Sequence, residues 1–212
     1  PKLSHPDPTV DRRSGLLPPS FSDSKNLGAG LTIPYFIALG SDKNLTFYNR
    51  FYDDENPLFF TEYNQAFKNS NLLIDFGYTE GYKKRTATKS KGEKSHFFSL
   101  FTKSFEGKNN SINTLNFSVQ EVSNDKYLKL YRIKSNLVDF NSDTLESSFN
   151  FTHEKDDLFL GFNASVYETL KGDYEDKYEY ILPELTFDKN LYNNENLGNF
   201  ELQSNLKVHN YD

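Results

Sequence analysis

The sequence predicts an all-β fold, an antiparallel meander of about ten or eleven strands. Apolar and polar residues alternate with a period of two through most of the chain after residue 27, which is the period of a strand. Short clusters of Gly, Asn and Asp separate these segments, and short turns between successive strands require antiparallel pairing. Aromatic residues make up 16% of the 212 residues, a share that argues against disorder.

Residues 1–27 are predicted to form an extended connector that precedes a strand-rich unit at 28–212. The connector is rich in proline, which fixes φ and lacks the N–H that a strand ladder needs. Methionine is absent, even at position 1, so we expect a processed chain or an excised piece. The prolines of the connector are Pro1, Pro6, Pro8, Pro18 and Pro19.

The strand-rich unit begins with the clearest alternation. Leu31, Ile33 and Tyr35 share one face of the first predicted strand, whose length of about 9–11 residues would cross a bilayer at a tilt. Thr32 and Pro34 share the other face. Six further segments alternate as cleanly, at 45–52, 72–79, 115–120, 145–152, 158–166 and 200–209. Less regular strands are predicted near 58–67, 95–105, 126–134 and 178–188, and turns at 40–43, 53–57, 68–71, 107–110 and 154–157.

The charge and the composition exclude several classes of function. The net charge of −6 and the pI of about 5.3 argue against nucleic-acid binding, which usually needs a basic face. The absence of cysteine excludes disulfides, thiolate catalysis and cysteine-ligated metal sites within this span. No run of about 18 apolar residues is present, so no transmembrane helix is expected. A transmembrane β-barrel contains no such run, and the outer membrane therefore stays open as a location.

Two architectures fit this pattern. One is a soluble sandwich or lipocalin-like barrel with an apolar interior, and such domains are the commoner class. The other is a membrane barrel with an apolar exterior and a polar lumen. The polar faces are weakly charged and rich in Asn, Ser, Thr and Gln, as a water-filled lumen would be. The apolar faces run for four or five positions, the height of a bilayer band, which favours the membrane barrel.

The sequence contains no motif of a catalytic or cofactor site. None of the four histidines lies at i, i+4 from another, and no H-E-x-x-H, P-loop or nucleophile-elbow pattern occurs. The acidic residues at 53–55 lack the ligand spacing of a calcium loop. We therefore predict a protein that is not an enzyme, with no catalytic residue, no cofactor and no metal site.

Two groups of basic residues each have two interpretations. The stretch 83–94 is either a solvated loop or a loop that contacts lipid phosphates. Arg12 and Arg13 either hold the connector by hydrogen bonds or bind a bisphosphorylated lipid headgroup. The second interpretation rests on the bidentate binding of phosphate by guanidinium groups.

Residues 6–19, with the sequence PDPTVDRRSGLLPP, resemble a signature of the LptD family of lipopolysaccharide-assembly proteins, also called organic solvent tolerance proteins. The similarity continues through 28–36 (GAGLTIPYF) and into 44–46 and 62–63. Residues 180–185 (YILPEL) look like a later barrel strand of the family. The resemblance covers nearly the whole chain and is most specific over residues 6–36.

The resemblance implies a place in the Gram-negative outer membrane. The family has a periplasmic β-jelly-roll followed by a barrel of about 26 strands. By analogy, residues 1–27 would link a missing jelly-roll to the barrel, and residues 28–212 would form the N-terminal part of that barrel. The implied partners are lipopolysaccharide, an LptE-type lipoprotein that plugs the barrel, and an LptA-type periplasmic bridge that docks on the jelly-roll.

In the family, lipopolysaccharide leaves through a lateral gate between the first and the last strand. Pro34 lies in the first strand of the present chain, and we expect Pro34, Gly28 and Gly30 to belong to such a gate, since proline cannot donate to a ladder. The alternative is that Pro34 merely marks a strand end. The alternative function is a soluble or surface-exposed all-β domain that binds a ligand or a partner. The two functions differ in which face of the sheet is buried.

Overall fold

The computed structural model describes residues 12–84, 86, 89, 91–172, 176–194 and 198–212. The first part of the family signature, His5 and Arg85 lie outside the described residues. Within them, the prediction of an all-β antiparallel meander is confirmed. The strands are β1 (Gly15–Leu16), β2 (Ser20–Ser24), β3 (Gly28–Ala38), β4 (Lys43–Tyr52), β5 (Leu58–Phe67), β6 (Ser70–Gly81), β7 (Lys91–Glu106), β8 (Ile112–Val122), β9 (Thr144–Lys155), β10 (Leu158–Thr169), β11 (Tyr178–Asn194) and β12 (Gly198–Tyr211).

One sheet contains all twelve described strands. From β3 to β12 each strand pairs antiparallel with the next one in the sequence, which is the expected meander. The two short strands of the connector, β1 and β2, both pair with β3 on its other edge. The connector is therefore extended, and it is also hydrogen-bonded to the sheet.

The strand predicted near 126–134 is wrong, because the structure forms a short helix there, α1 (Tyr127–Tyr131). Tyr127, Leu128 and Tyr131 are buried, and these positions share one side of a helical turn. A single turn of helix is too short to show a period of 3.6 in the sequence, so the alternation test could not detect it. A second short helical element is the 3₁₀ turn Lys108–Asn110, within the predicted turn at 107–110.

The two faces of the sheet differ in chemistry. In β3, Gly30 and Thr32 are buried, whereas Tyr35 on the opposite face is 40% exposed. The strand registers extend these two sides across the whole sheet. The polar face carries Thr32, Thr46, Glu62, Asp75, Ser118, Asn150, Asn163, Thr186 and Asn205. The apolar face carries Leu31, Phe47, Phe59, Phe76, Phe97, Phe117, Phe151, Phe162, Leu185 and Leu206.

The buried core lies on the polar face, at the end of the sheet where β3 begins. It forms where residues 123–143, the connection between β8 and β9, pack back onto the strands. Tyr82, which follows β6, and Leu170, which follows β10, join the core at the same end of the sheet. The core consists of Leu27, Leu58, Tyr82, Phe98, Tyr127, Leu128, Tyr131, Ile133, Val138, Leu145 and Leu170. Among the described residues, no helix is both long and apolar enough to cross a membrane.

Candidate functional site

The connection at 123–143, called the inward segment below, is anchored on the polar face by aromatic side chains. The hydroxyl of Tyr127 lies 3.0 Å from Nδ1 of His96, and the His96 ring stacks 4.7 Å from Phe98. The ring of Tyr131 lies 6.2 Å from that of Tyr52. Burial raises the pKa of both the Tyr127 and the Tyr131 hydroxyl. The first half of the inward segment is therefore a fixed, desolvated part of the fold.

The second half of the inward segment is held by polar contacts to two carboxylates. Ser135 donates a hydrogen bond through Oγ to Oδ2 of Asp75, and Asn136 Nδ2 donates to Glu62 Oε2 at 3.2 Å. Asn64 Nδ2 donates to the other Glu62 oxygen at 2.8 Å. Glu62 and Asp75 face each other across β5 and β6, an arrangement that destabilises a sheet when both groups are charged. The donors of the inward segment offset that cost.

Arg50 ties the inward segment to the first strands of the sheet. Its Nε donates to Thr32 Oγ1 on β3 at 3.2 Å, and its Nη1 donates to the carbonyl oxygen of Tyr131. That carbonyl lies at the C-terminal end of α1, where cations are favoured. One guanidinium group thereby joins β3, β4 and α1.

A cavity of about 580 Å³ lies between β2, the polar face of β3 to β5 and the inward segment. Its walls combine hydroxyl groups, the Glu62 carboxylate, the Arg50 guanidinium group and tyrosine rings with apolar side chains such as Leu58 and Phe60. The polar groups that line it include Ser20, Ser22, Thr32, Tyr48, Arg50 and Glu62.

The edge of β3 that faces the connector is weakened at Pro34. Leu17 N donates to Pro34 O at 3.0 Å, so the backbone polar atoms of Pro34 point toward the connector and away from β4. Pro34 has no N–H, and the return bond to Leu17 is therefore absent. The β3–β4 ladder is unaffected, with Pro34 opposite Tyr48. The break between β1 and β2 falls opposite Pro34, at residues 17–19.

The two glycines predicted for the gate have local structural roles on the same strand. Gly28 has φ +74°, and a Cβ there would lie 2.2 Å from Asp53 Oδ1. A Cβ on Gly30 would lie 2.6 Å from Ser22 Oγ. Because these two residues have no Cβ, β2 and the β4–β5 turn can pack close to the start of β3. The structure places Gly28, Gly30 and Pro34 on one face of β3. Their role in a gate remains a prediction.

The arginine pair lies apart from those glycines. Arg12 and Arg13 are both exposed, near the end of the sheet where β3 finishes. Arg12 lines a separate cavity of about 200 Å³ together with Asp42 and Gln65. The phosphate contact predicted for the pair remains a prediction.

The basic stretch 83–94 contains structural cations that sequence reasoning missed. Lys89 Nζ lies 2.7 Å from Glu55 Oε1 and donates to Asn26 O at 2.8 Å. Glu55 also accepts a hydrogen bond from Lys83 N at 2.8 Å, and its bond to Lys89 raises the pKa of that ammonium. Lys94 is buried. Glu55 lies 34 residues from Lys89, too far for a local pattern to reveal the pair.

The Asp75–Ser135 contact was also missed, although the sequence carried a signal for it. Asp75 interrupts the apolar run NLLIDFGY, and a buried carboxylate needs a hydrogen-bond donor. The alternation over 72–79 predicts that Asp75 lies on the face opposite Ile74 and Phe76, and the structure confirms it. The alternation could not identify Ser135 as the donor, because Asp75 and Ser135 lie 60 positions apart.

No protein-family model matches the chain. Over 40 residues, 19% of its length, the chain is 50% identical to the LPS-assembly protein LptD of Cupriavidus metallidurans. The matched part amounts to 5% of that protein. The chain is thus an antiparallel meander that is similar, over a short length, to an LPS-assembly protein.

Proposed function

We propose that the chain is part of an outer-membrane translocon of the LptD type, which inserts lipopolysaccharide into the outer leaflet. The observation that carries this proposal is the exposure of the apolar face, together with the burial of polar residues on the opposite face. The short similarity to an LPS-assembly protein supports the same assignment. In this proposal the chain is a transport component of a Gram-negative cell and not an enzyme.

The apolar face has the properties of a lipid-facing surface. Phe76 is 48% exposed, Phe117 45% and Leu206 55%, and these residues lie on three separate strands. A soluble sandwich would bury such a face, since exposed apolar patches of this extent are rare on monomeric soluble proteins. Aliphatic and aromatic side chains directed outward, with Asn, Ser and Thr inward, are typical of transmembrane barrels.

The sheet as described has an open edge at β12. Both faces of β12 are exposed, and its outer backbone groups have no neighbouring strand within the described residues. Lipid does not tolerate an open edge, because every backbone polar group in a bilayer must be satisfied. We therefore propose that further strands close the sheet into a barrel, with residues 1–27 as the link to a periplasmic jelly-roll.

The lateral gate of the proposal lies at β3. Pro34 removes a donor from the edge that a closing strand would use, so the seam there is weaker than the other strand pairs. The cavity beside this edge offers hydroxyl and charged groups to the sugar part of lipopolysaccharide. Arg12 and Arg13 would contact lipid phosphates. An LptE-type plug and an LptA-type bridge complete the proposed set of partners.

Depletion of the protein in its own cells tests the proposal. We expect lipopolysaccharide labelled at the cell surface to fall as the protein is depleted, and new lipopolysaccharide to accumulate behind the outer membrane. The control is depletion with a second copy of the gene in place. Unchanged surface lipopolysaccharide after full depletion would refute a role in the translocon.

The second candidate function is a soluble or surface-exposed domain that binds a ligand or a partner. The cavity of about 580 Å³ between the inward segment and β3 favours it, because mixed polar and aromatic walls are common in ligand sites. In that case the protein would fractionate away from membranes and the apolar face would be covered by the partner.

A further inference from the structure

The connector strands form a strap along the edge of β3 that is held almost entirely by its backbone. This strap, residues 14–24, comprises β1 with two residues and β2 with five. Its apolar side chains add little packing, since Leu16 is 71% exposed and Phe21 is 83% exposed. A short ladder without side-chain packing opens readily, because the net contribution of each hydrogen bond to stability is small.

The strap nevertheless continues the apolar and polar faces of the sheet. Phe21 pairs with Leu31 on the apolar face, and Ser22 pairs with Gly30 on the polar face. Ser14 adds one further bond, because its Oγ accepts from Ala38 N at 2.9 Å. The strap thus occupies the place of a neighbouring strand, and β3 cannot pair with another strand on that edge while the strap is there.

The turn between the strap and β3 is held far more firmly than the strap. Leu27 is 2% exposed within the buried core. Its N–H donates to Ser24 Oγ at 3.2 Å, and Asn26 O accepts from the Lys89 ammonium at 2.8 Å. Residues 25–27 would therefore stay in place if the ladder of the strap opened, and they would act as its hinge.

We propose that residues 14–24 are an exchangeable edge strand, which swings about the turn at 25–27 and yields the edge of β3 to the strand that closes the sheet. The exchange starts at the break opposite Pro34, where the ladder is interrupted. The identity of the incoming strand rests on the proposed function, since a closing strand belongs to a barrel. The opening of the strap itself depends only on the contacts described above.

A disulfide lock tests the opening. Asp23 and Ala29 face each other at a non-hydrogen-bonded position, because Ala29 O is turned away from the strap and accepts from Asp53 N, directly after β4. Their Cα atoms are about 4.5 Å apart in such a pair, within disulfide range. The described chain has no cysteine that could compete. The lock is Asp23→Cys with Ala29→Cys, and the matched control is Ala38→Cys with Asn44→Cys, which joins β3 to β4.

Amide hydrogen exchange of the intact protein in nanodiscs is the first readout. The N–H groups of Gly30 and Thr32 face the strap, whereas those of Leu31 and Ile33 face β4. We expect the strap-facing amides to exchange at least tenfold faster, and the oxidised lock to remove that difference. Equal exchange of all four amides without the lock would overturn the proposal, and so would fast exchange that the lock does not slow. The control lock should leave the difference intact.

Surface lipopolysaccharide in cells is the second readout. We expect the oxidised lock to stop its delivery, reductant to restore it, and the control lock to have no effect. Normal delivery of lipopolysaccharide to the surface by the fully oxidised lock variant would overturn the proposal that strand exchange is a step in transport. If the proposed function is wrong, depletion of the unlocked protein will not change surface lipopolysaccharide. The amide-exchange result does not depend on that function, so the two failures can be told apart.

Discussion

At the scale of single residues, Pro34 is the one residue of β3 whose backbone nitrogen carries no hydrogen. That nitrogen faces the connector, so the missing bond weakens one edge of the strand and spares the other. The sequence alone placed Pro34 within a strand. It could not decide which neighbour loses the bond, because strand direction and register come from pairing with residues far along the chain.

Replacement of Pro34 by alanine should strengthen the strap. The new N–H can donate to Leu17 O, and a hydrogen bond of this kind contributes about 0.5–1.5 kcal/mol. We expect slower amide exchange at Gly30 and Thr32 and, under the proposed function, slower delivery of lipopolysaccharide. Pro57→Ala is the matched control, since Pro57 lies in the β4–β5 turn. Unchanged exchange in Pro34→Ala would show that the missing donor does not limit the edge.

Tyr127 and Tyr131 should make the fold sensitive to alkali. Burial raises the pKa of both hydroxyls above the ordinary value of 10.0, so the folded state favours their neutral forms. Their contribution to stability is fully present below pH 10 and is lost as the pH rises toward the raised pKa. An alkaline titration followed by tyrosinate absorbance and circular dichroism should show late-titrating tyrosines that ionise only with unfolding. Complete ionisation of a folded chain would contradict this, and Tyr127→Phe should remove one late group.

At the scale of elements, the clean alternation of β3, β6 and β10 was sufficient to predict each strand and its apolar face. The inward segment was not predictable in the same way. Its single helical turn is short, and its contacts reach back 60 residues to Asp75 and 81 residues to Arg50. The local alternation of apolar and polar residues identifies the two faces of a strand. It does not indicate which distant strand a connecting segment will pack against.

Removal of the polar contacts should release the second half of the inward segment. Ser135→Ala with Asn136→Ala leaves the buried carboxylate of Asp75 without its Ser135 donor, which costs about 1–3 kcal/mol. It also removes one of the two donors of the half-buried Glu62, which keeps its bond from Asn64. We expect faster amide exchange over 134–142 with little change over Tyr127–Tyr131, where the aromatic anchor remains. Asn141→Ala is the control on the same segment. An equal increase in amide exchange along the whole inward segment would mean that its two halves are not anchored independently.

At the scale of the whole molecule, the sheet carries apolar side chains on one face of successive strands and amide and hydroxyl groups on the other face. This arrangement is the reverse of a soluble sandwich, in which the apolar faces meet. Composition hinted at it through abundant Phe and Tyr with few apolar residues overall, because only one face of each strand is apolar. Alternation alone does not separate the two architectures, since both produce it, and the membrane barrel is a proposal that depends on what covers the apolar face.

A pair of lysine substitutions on β8 distinguishes lipid from water at the apolar face. Phe117→Lys places a charge on that face and should cost about 2–4 kcal/mol near the middle of a bilayer. Ser118→Lys, one position along on the polar face, should be tolerated. We expect the first variant alone to lose membrane-integrated protein in urea-washed fractions. Equal behaviour of the two variants would indicate that water, and not lipid, covers the apolar face.

The backward reach of the inward segment also sets an order of assembly. Strands β3 to β8 can be added one hairpin at a time, because each pairs with the strand made just before it. Once Tyr131 and Ser135 have been synthesised, their contacts to Arg50 and Asp75 fasten the early strands to one another before β9 exists. The first six long strands can therefore form a preassembled unit, onto which the later strands are laid in sequence.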